Sequence, residues 1–449
     1  MADEQQCRDD LPTVPFARSR VKRIVDQLGF DVRRSSIREM NKLVNAIEAD
    51  LGVDFIRMEF GVPGLTTPDV AIDAEIDALK ARGVGHIYAP FDGLAELKIE
   101  ISRFAKLFIN IDIAPRCCIP TIGAMQGCFA SIAVVSRMDP RRRTILVLEP
   151  SFPVNKQQMR LLEVNSHSID LYEHRGESLL EAIESRAREG DLCGILWSSP
   201  NNPSWVCLKN WELAGIARLC EKYDLIAIED LAYFGMDTRQ DYFTPGEPPY
   251  QPSVLQHTER ALSVISCSKI FSYAGQRIAM TLIGEDLARS EIGHLVRGFG
   301  TSNFLHAFVH GVLYPVTACG PESPQYGLLA LLRAANGGDR SLFVSAIEYT
   351  RRARMMKQHF LDNGFLLVYD NDLGEPLADG FYFTICHPAF EEGADLLHEL
   401  LHYGVSAITL GSAGSCRREG LRACVSLTSD AQFTTLASRL RRFSDDHPA

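Results

Sequence analysis

Apolar residues first recur along the chain with a helical period. Between residues 35 and 51, Ile37, Met40, Leu43, Val44 and Ile47 line one stripe, Ser35 or Ser36 offers a cap, and Gly52 marks a stop. A second stripe of Leu97, Ile101, Phe104 and Phe108 predicts a helix from about Leu94 to Ile109. The period then changes. Short apolar runs stand at TILVLE (144–149), CGILW (193–197), LIAIED (225–230), LSVISC (262–267) and AMTLIG (279–284), and helix-like segments such as 209–222 separate the first four. This alternation predicts an α/β fold with a mainly parallel sheet covered by helices. In such sheets ligands collect outside the carboxyl ends of the strands.

From about Ala346 the pattern shifts again. A long helical segment containing Arg351, Arg352 and Arg354 leads to strand-like GFLLVY and GFYFTI, a helix over 391–403, and a last strand and helix. Three regions are expected: an arm and helix over 1–60 that joins the small domain, a large domain over 61–345, and a small α+β domain over 346–449.

A formal charge of -11 argues against a general nucleic-acid binder, since the one compact basic run, Arg141-Arg142-Arg143, reads as a solvated loop. The apolar stretch from Ser302 to Gly320 contains His306, His310, Gly311 and Pro315, so it reads as buried or interfacial rather than membrane-spanning. The twelve cysteines include no CxxC pair, and the first ten residues, MADEQQCRDD, lack a targeting pattern. Free thiols in the reducing cytoplasm are the expectation. No metal-ligand spacing links His86, His167 and His174, and Gly83-Val-Gly85 lacks the third glycine of a dinucleotide fingerprint.

Candidate chemistry clusters at the predicted strand ends. Ser266-Cys-Ser268-Lys269 closes one strand, and Gly275-Gln-Arg277 follows, with Arg277 eight residues beyond the lysine. Asp230 closes LIAIED, and Tyr233 comes three residues later. Ser199-Pro-Asn-Asn202-Pro-Ser204-Trp205 follows CGILW, and Phe152 follows TILVLE. Thr121-Ile-Gly123-Ala124-Met125-Gln126-Gly127 precedes an apolar helix, where backbone N–H groups favour a phosphate. Tyr88 stands before Gly93 and Leu97; Phe60-Gly61-Val-Pro63 and Gly420-Leu-Arg422 lie toward the two ends.

Over roughly residues 55 to 430 this set resembles the class I/II aminotransferase family, whose members are pyridoxal 5′-phosphate (PLP) enzymes of fold type I. The resemblance implies that Lys269 carries PLP as a Schiff base and that Asp230 faces the pyridine nitrogen. Tyr233 and Asn202 would bind the ring's 3′-oxygen, and Phe152 would stack on the ring. The phosphate would lie on Gly123, Ala124 and Met125 with Arg277, Ser266 and Ser268. The substrate carboxylate would meet Gly61, Asn202 and Arg422; Arg422 is preferred over Arg417 and Arg418 because it enters a strand, and a guanidinium fork suits a carboxylate. Tyr88 would reach the phosphate of a neighbouring subunit, which implies a homodimer with shared sites.

Three departures from the family pattern stand out. Ser204-Trp205 replaces Thr-Gly, Ala279 replaces a glycine, and the segment from Gly298 to Pro324 is long. Transamination of an amino acid is the first expectation. A PLP-dependent lyase or replacement enzyme, acting for example on S-adenosylmethionine, is the alternative. A PLP-binding regulator is disfavoured, because only about 50 residues precede the match.

Overall fold

The computed structural model describes residues 14–29 and 31–448. Its centre is a seven-stranded sheet built from β1 (Cys118–Thr121), β2 (Thr144–Glu149), β3 (Asn165–Asp170), β4 (Leu192–Ser198), β5 (Ile226–Leu231), β6 (Ala261–Ser266) and β7 (Ala279–Ile283). The strands lie in the order β1-β7-β6-β5-β4-β2-β3. β7 runs antiparallel to both neighbours, and the other adjacent pairs are parallel. β2, β4, β5 and β6 are buried along their whole length, as both-face coverage requires.

The five apolar runs are all strands. The two strands that the hydrophobic pattern does not mark are the sheet's edges. β3 reads Asn-Ser-His-Ser-Ile-Asp and is exposed over its first four residues, so it carries no apolar run. β1 is short and contains Pro120, which an edge strand tolerates because one side needs no N–H donor.

The predicted helices form from the residues that signal them. α1 (Ile37–Leu51) starts at Ser36, whose hydroxyl accepts the Glu39 N–H at 3.3 Å while the Glu39 carboxylate accepts the Ser36 N–H at 2.8 Å. It stops at Gly52, whose φ of 67° is left-handed. α2 (Ala95–Ile109) buries Leu97, Ile101, Phe104 and Phe108. α3 (Gly123–Val135) packs behind the sheet, and α4 (Asn210–Tyr223) connects β4 to β5.

Beyond α5 (Val344–Leu361) lies a four-stranded antiparallel sheet of β8 (Leu366–Leu367), β9 (Tyr382–Cys386), β10 (Ile408–Thr409) and β11 (Leu421–Cys424), in the order β10-β11-β9-β8. The run GFLLVY yields only the two residues of β8. After it, the Tyr369 N–H turns to the Thr384 hydroxyl at 2.9 Å instead of continuing the ladder. α6 (Gly393–His402) and α7 (Asp430–Asp446) complete this part. Ile56–Arg57 pairs in parallel with Val405–Ser406, and the Arg18 guanidinium forks onto Glu399 at 2.6 and 2.8 Å. Phe16, Arg18 and Ile56–Arg57 thus join the amino-terminal region to the carboxy-terminal part, at α6 and at the strand Val405–Ser406.

Within the long segment, Phe304, Phe308 and Val312 are buried, whereas Tyr314 and Val316 are exposed. Among the described residues, no helix is long and apolar enough to cross a membrane.

Candidate active site

One edge of the large sheet gathers the candidate residues. β1, β2, β4, β5 and β6 all end there, and antiparallel β7 begins there. Lys269 sits in a single helical turn, Cys267–Ile270, directly after β6. Ser266 caps that turn by accepting the Ser268 N–H at 3.2 Å, and the Ser345 hydroxyl donates to the Ile270 carbonyl at 2.9 Å. The lysine is half-buried. Its amine is held below the ordinary value, first by burial and then by Arg277 and Arg422, against the opposing pull of Cys424 and Asp230.

Asp230 projects from β5 and is buried. Burial pushes its carboxyl up to about 6, against the downward pull of Lys269 and of the Ala232 N–H. Among the described residues, its buried Oδ1 has no hydrogen-bond partner. A buried acceptor left without a donor is costly in a folded chain, so this atom marks a place for a donor from outside the protein.

Gly123 begins α3 with a φ of 68°, and a Cβ at that position would stand 2.4 Å from Arg277 Nη2. Close approach of the guanidinium to a bare backbone is what this glycine permits. Arg277 itself has a φ of 52°, and its Nη1 donates to the Ala274 carbonyl at 2.8 Å. The first turn of α3 is fastened by Gln126, whose Oε1 accepts the Ile122 N–H at 2.7 Å. Ala124 is half-buried, and the Met125 side chain is exposed.

Phe152 precedes the helix Pro153–Leu161 and is half-buried. Its loop is held by Asn201, whose Nδ2 donates to the Pro150 carbonyl at 2.8 Å, and by the Ser151 N–H on the Ala413 carbonyl at 2.9 Å. Asn202 is buried, with its Oδ1 3.4 Å from Arg422 Nη1.

Arg422 reaches the site from β11 and is buried. Its Nη2 donates to the Glu59 carbonyl at 2.5 Å, two residues before Gly61, and among the described residues its Nε has no partner. The competing Arg417 points elsewhere: it stacks on Tyr172 at 4.1 Å and pairs with Glu419 at 2.5 Å. Tyr88 stands on the surface, 84% exposed.

The structure adds two residues that the motifs do not contain. Tyr382 of β9 accepts a hydrogen bond from the Tyr233 hydroxyl at 3.0 Å, and its ring lies 4.6 Å beneath the Arg422 guanidinium. Cys424 of β11 pairs with Tyr382 in the sheet register and is buried. Both sit on the face of the small sheet that carries Arg422, since residues 422 and 424 alternate inward together. GFYFTI and RACVSL read as strands from sequence, but their register is needed to bring these residues to Tyr233.

Trp205 is buried against Tyr233, with ring centroids 5.2 Å apart. Its φ of 63° is the left-handed conformation that a glycine adopts without strain. Here the indole fills the space that Gly380 leaves open, where a Cβ would come within 2.2 Å of it.

Comparisons with known proteins identify the family and the fold. The description "Aminotransferase class I and II" matches residues 53–440. A probable aspartate aminotransferase of Methanocaldococcus jannaschii is 27% identical over 382 residues, covering 84% of this chain and 88% of that protein. An LL-diaminopimelate aminotransferase of Natranaerobius thermophilus is 27% identical over 57% of this chain and 63% of its own length. The solved aspartate aminotransferase of Thermus thermophilus with maleate has the same fold, with a TM-score of 0.73 at 19% identity over 92% of this chain and 99% of that one. These relatives are named for transamination, which favours that reaction over elimination or replacement. The chain belongs to the class I and II aminotransferase family and is a PLP-dependent aminotransferase of fold type I.

Proposed function

We propose that Lys269 anchors PLP and that the site takes the amino group from an α-amino acid whose carboxylate rests on Arg422 beside the Gly61 backbone. The observation that carries this reading is the unpartnered Oδ1 of Asp230, buried at the same strand edge as Lys269. The residues fit the cofactor. Asp230 offers an acceptor for a ring N–H, Gly123 and Arg277 form a cradle too close for a Cβ, and the Lys269 amine is less basic than usual.

When bound, PLP supplies a carbonyl for the substrate amine and a ring that withdraws electrons from Cα. The chain supplies the rest. Asp230, ionised against a ring cation, keeps that withdrawal strong. Tyr233 and Asn202 would donate to the 3′-oxygen, and Phe152 would lie against the ring. Backbone N–H groups of Gly123, Ala124 and Met125, with Arg277, Ser266 and Ser268, hold the phosphate. The free Lys269 amine takes the proton from the substrate Cα, a task its lowered basicity suits. Arg422, with two of its nitrogens held by Glu59 and Asn202, fixes which Cα bond is presented.

A homodimer with Tyr88 reaching the neighbouring phosphate is the matching assembly. Exposed Tyr88, Phe91, Tyr314 and Val316 support it, as do the Phe91 and Tyr314 rings, 4.8 Å apart, and the Gln126–Thr317 hydrogen bond of 3.0 Å that ties this face to the phosphate loop. The proposed division places 61–345 as the PLP-binding domain and 346–449, with the residues before 61, as the small domain; Ile56–Arg57 pairing with Val405–Ser406 supports it. A cytoplasmic site of action is supported by the eleven described cysteines, all free.

The test is a spectral titration of the purified holoenzyme with a panel of amino acids, including aspartate, LL-diaminopimelate and methionine, with products read by mass spectrometry. Keto acid with loss of the visible band is expected. Lys269→Ala should lose the borohydride-reducible cofactor; an undiminished adduct in that variant would overturn the anchor.

A further inference from the structure

Tyr382 touches three parts of the site at once. In the β9–β11 ladder it stands opposite Cys424, while Thr384 stands opposite Arg422, so Tyr382, Arg422 and Cys424 share one face. Its hydroxyl lies 3.0 Å from the Tyr233 hydroxyl. The same oxygen is pressed against Gly61, where a Cβ would come within 2.0 Å of it. Its ring carries the Arg422 guanidinium at 4.6 Å. Edge-on contacts with Tyr233 at 5.4 Å and Trp205 at 6.0 Å lock the ring in place.

The hydrogen-bond inventory then decides a direction. Each phenol has one O–H to donate. In the protein alone, Tyr233 donates to Tyr382. Among the described residues, the Tyr382 hydroxyl has no other hydrogen-bond partner. If Tyr233 instead donates to the 3′-oxygen of the cofactor, its own oxygen becomes free to accept, and Tyr382 is the donor at hand.

We propose that Tyr382 is a positioning residue that couples the cofactor end of the site to the carboxylate end. Its O–H backs Tyr233 as a donor, and its ring holds Arg422 against Glu59 and Gly61. This rests on the PLP reading above. A donor that is itself hydrogen-bonded becomes a stronger donor. Losing that backing leaves more negative charge on the 3′-oxygen, which holds the proton of the adjoining lysine–cofactor nitrogen more tightly. The charged and titratable groups facing the tyrosine pair are Arg422 and Cys424 of β11, and those acting on Lys269 are Cys424, Asp230 of β5, Arg277 and Arg422. Tyr382→Phe leaves all of these in place.

The experiment uses purified holoenzyme, wild type, Tyr382→Phe and Tyr382→Leu. It reads three quantities: cofactor per chain, the pH midpoint of the visible band, and the dissociation constant of an unreactive amino-acid analogue. In Tyr382→Phe, full cofactor content with a midpoint raised by roughly 0.1–0.6 pH unit is expected, the size of a 10–30% strengthening of one charge-assisted hydrogen bond. Analogue binding should be unchanged there, because the ring still supports Arg422. In Tyr382→Leu the ring is lost as well, and analogue binding should weaken by roughly 2- to 30-fold. An unmoved midpoint in Tyr382→Phe overturns the backing role whether or not the leucine variant folds. Analogue binding weakened equally in both variants overturns the role of the ring. A wild-type protein with no visible band and no bound cofactor overturns the PLP reading itself, and the proposal with it.

Discussion

Replacing Glu229 with glutamine removes a buried charge that becomes more costly as pH rises. Glu229 lies on β5 beside Asp230, but alternation turns it to the opposite face of the sheet. Its carboxylate is completely buried. Oε2 accepts the Ser253 hydroxyl at 2.5 Å and the Ser263 hydroxyl at 2.7 Å, and Oε1 accepts the Val254 N–H at 3.3 Å. Burial outweighs these bonds and pushes the carboxyl from 4.5 to about 7. The folded protein thus holds a proton that the unfolded chain has released, so stability falls as pH rises from 4.5 to about 7 and levels off above that. Linkage puts the loss at about 1 kcal/mol at pH 5 and about 3 kcal/mol at pH 8.

Glutamine cannot ionise, keeps one acceptor, and can donate to serine hydroxyls that rotate to receive it. The variant should therefore gain about 2–3 kcal/mol on the wild type between pH 5 and pH 8. With an unfolding entropy near 2 cal/mol/K per residue, that gain corresponds to a Tm difference growing by about 3 °C. Differential scanning calorimetry of both proteins at the two pH values, at equal cofactor saturation, measures it. A Tm difference that stays constant, or shrinks toward pH 8, refutes the reasoning.

Two further outcomes test the site. Arg422→Lys keeps the charge but loses the fork, and one charge-assisted hydrogen bond to the substrate carboxylate is worth roughly 1.5–3 kcal/mol. KM for the amino acid should rise roughly 10- to 150-fold with cofactor content intact, and steady-state kinetics on the absorbance-calibrated holoenzyme reads this. Gly123→Ala imposes a left-handed φ on a side chain whose Cβ would crowd Arg277 at 2.4 Å. Cofactor affinity should fall at least tenfold for a strain of roughly 1–2 kcal/mol plus a displaced guanidinium, and equilibrium dialysis of PLP would show it.

Much of this protein is legible in its order of residues. Strands buried on both faces announce themselves as apolar runs, because covering helices leave no room for polar side chains. Thus β2, β4, β5, β6 and β7 stand out, and the strand ends lead to Lys269, Asp230, Asn202 and Phe152. Helix limits such as Ser36 and Gly52 are equally plain, since capping is a local exchange of hydrogen bonds. The edge strands β1 and β3 are hidden for the same reason in reverse: a strand with one free edge or an exposed face needs no apolar signature.

What only the tertiary structure decides is which distant side chains meet. Tyr382 and Arg422 are 40 positions apart, yet antiparallel register sets them on one face, and a slip of one residue would turn either away. The same register places the Tyr382 hydroxyl against Tyr233 and Gly61. Trp205 shows the limit most clearly. Sequence marks it as a departure from a glycine, but only packing shows that the indole fits because Gly380, 175 residues later, has no side chain. Local pattern fixes the elements through short-range hydrogen bonds and hydrophobic period; contact between elements depends on shape, which no short stretch of sequence encodes.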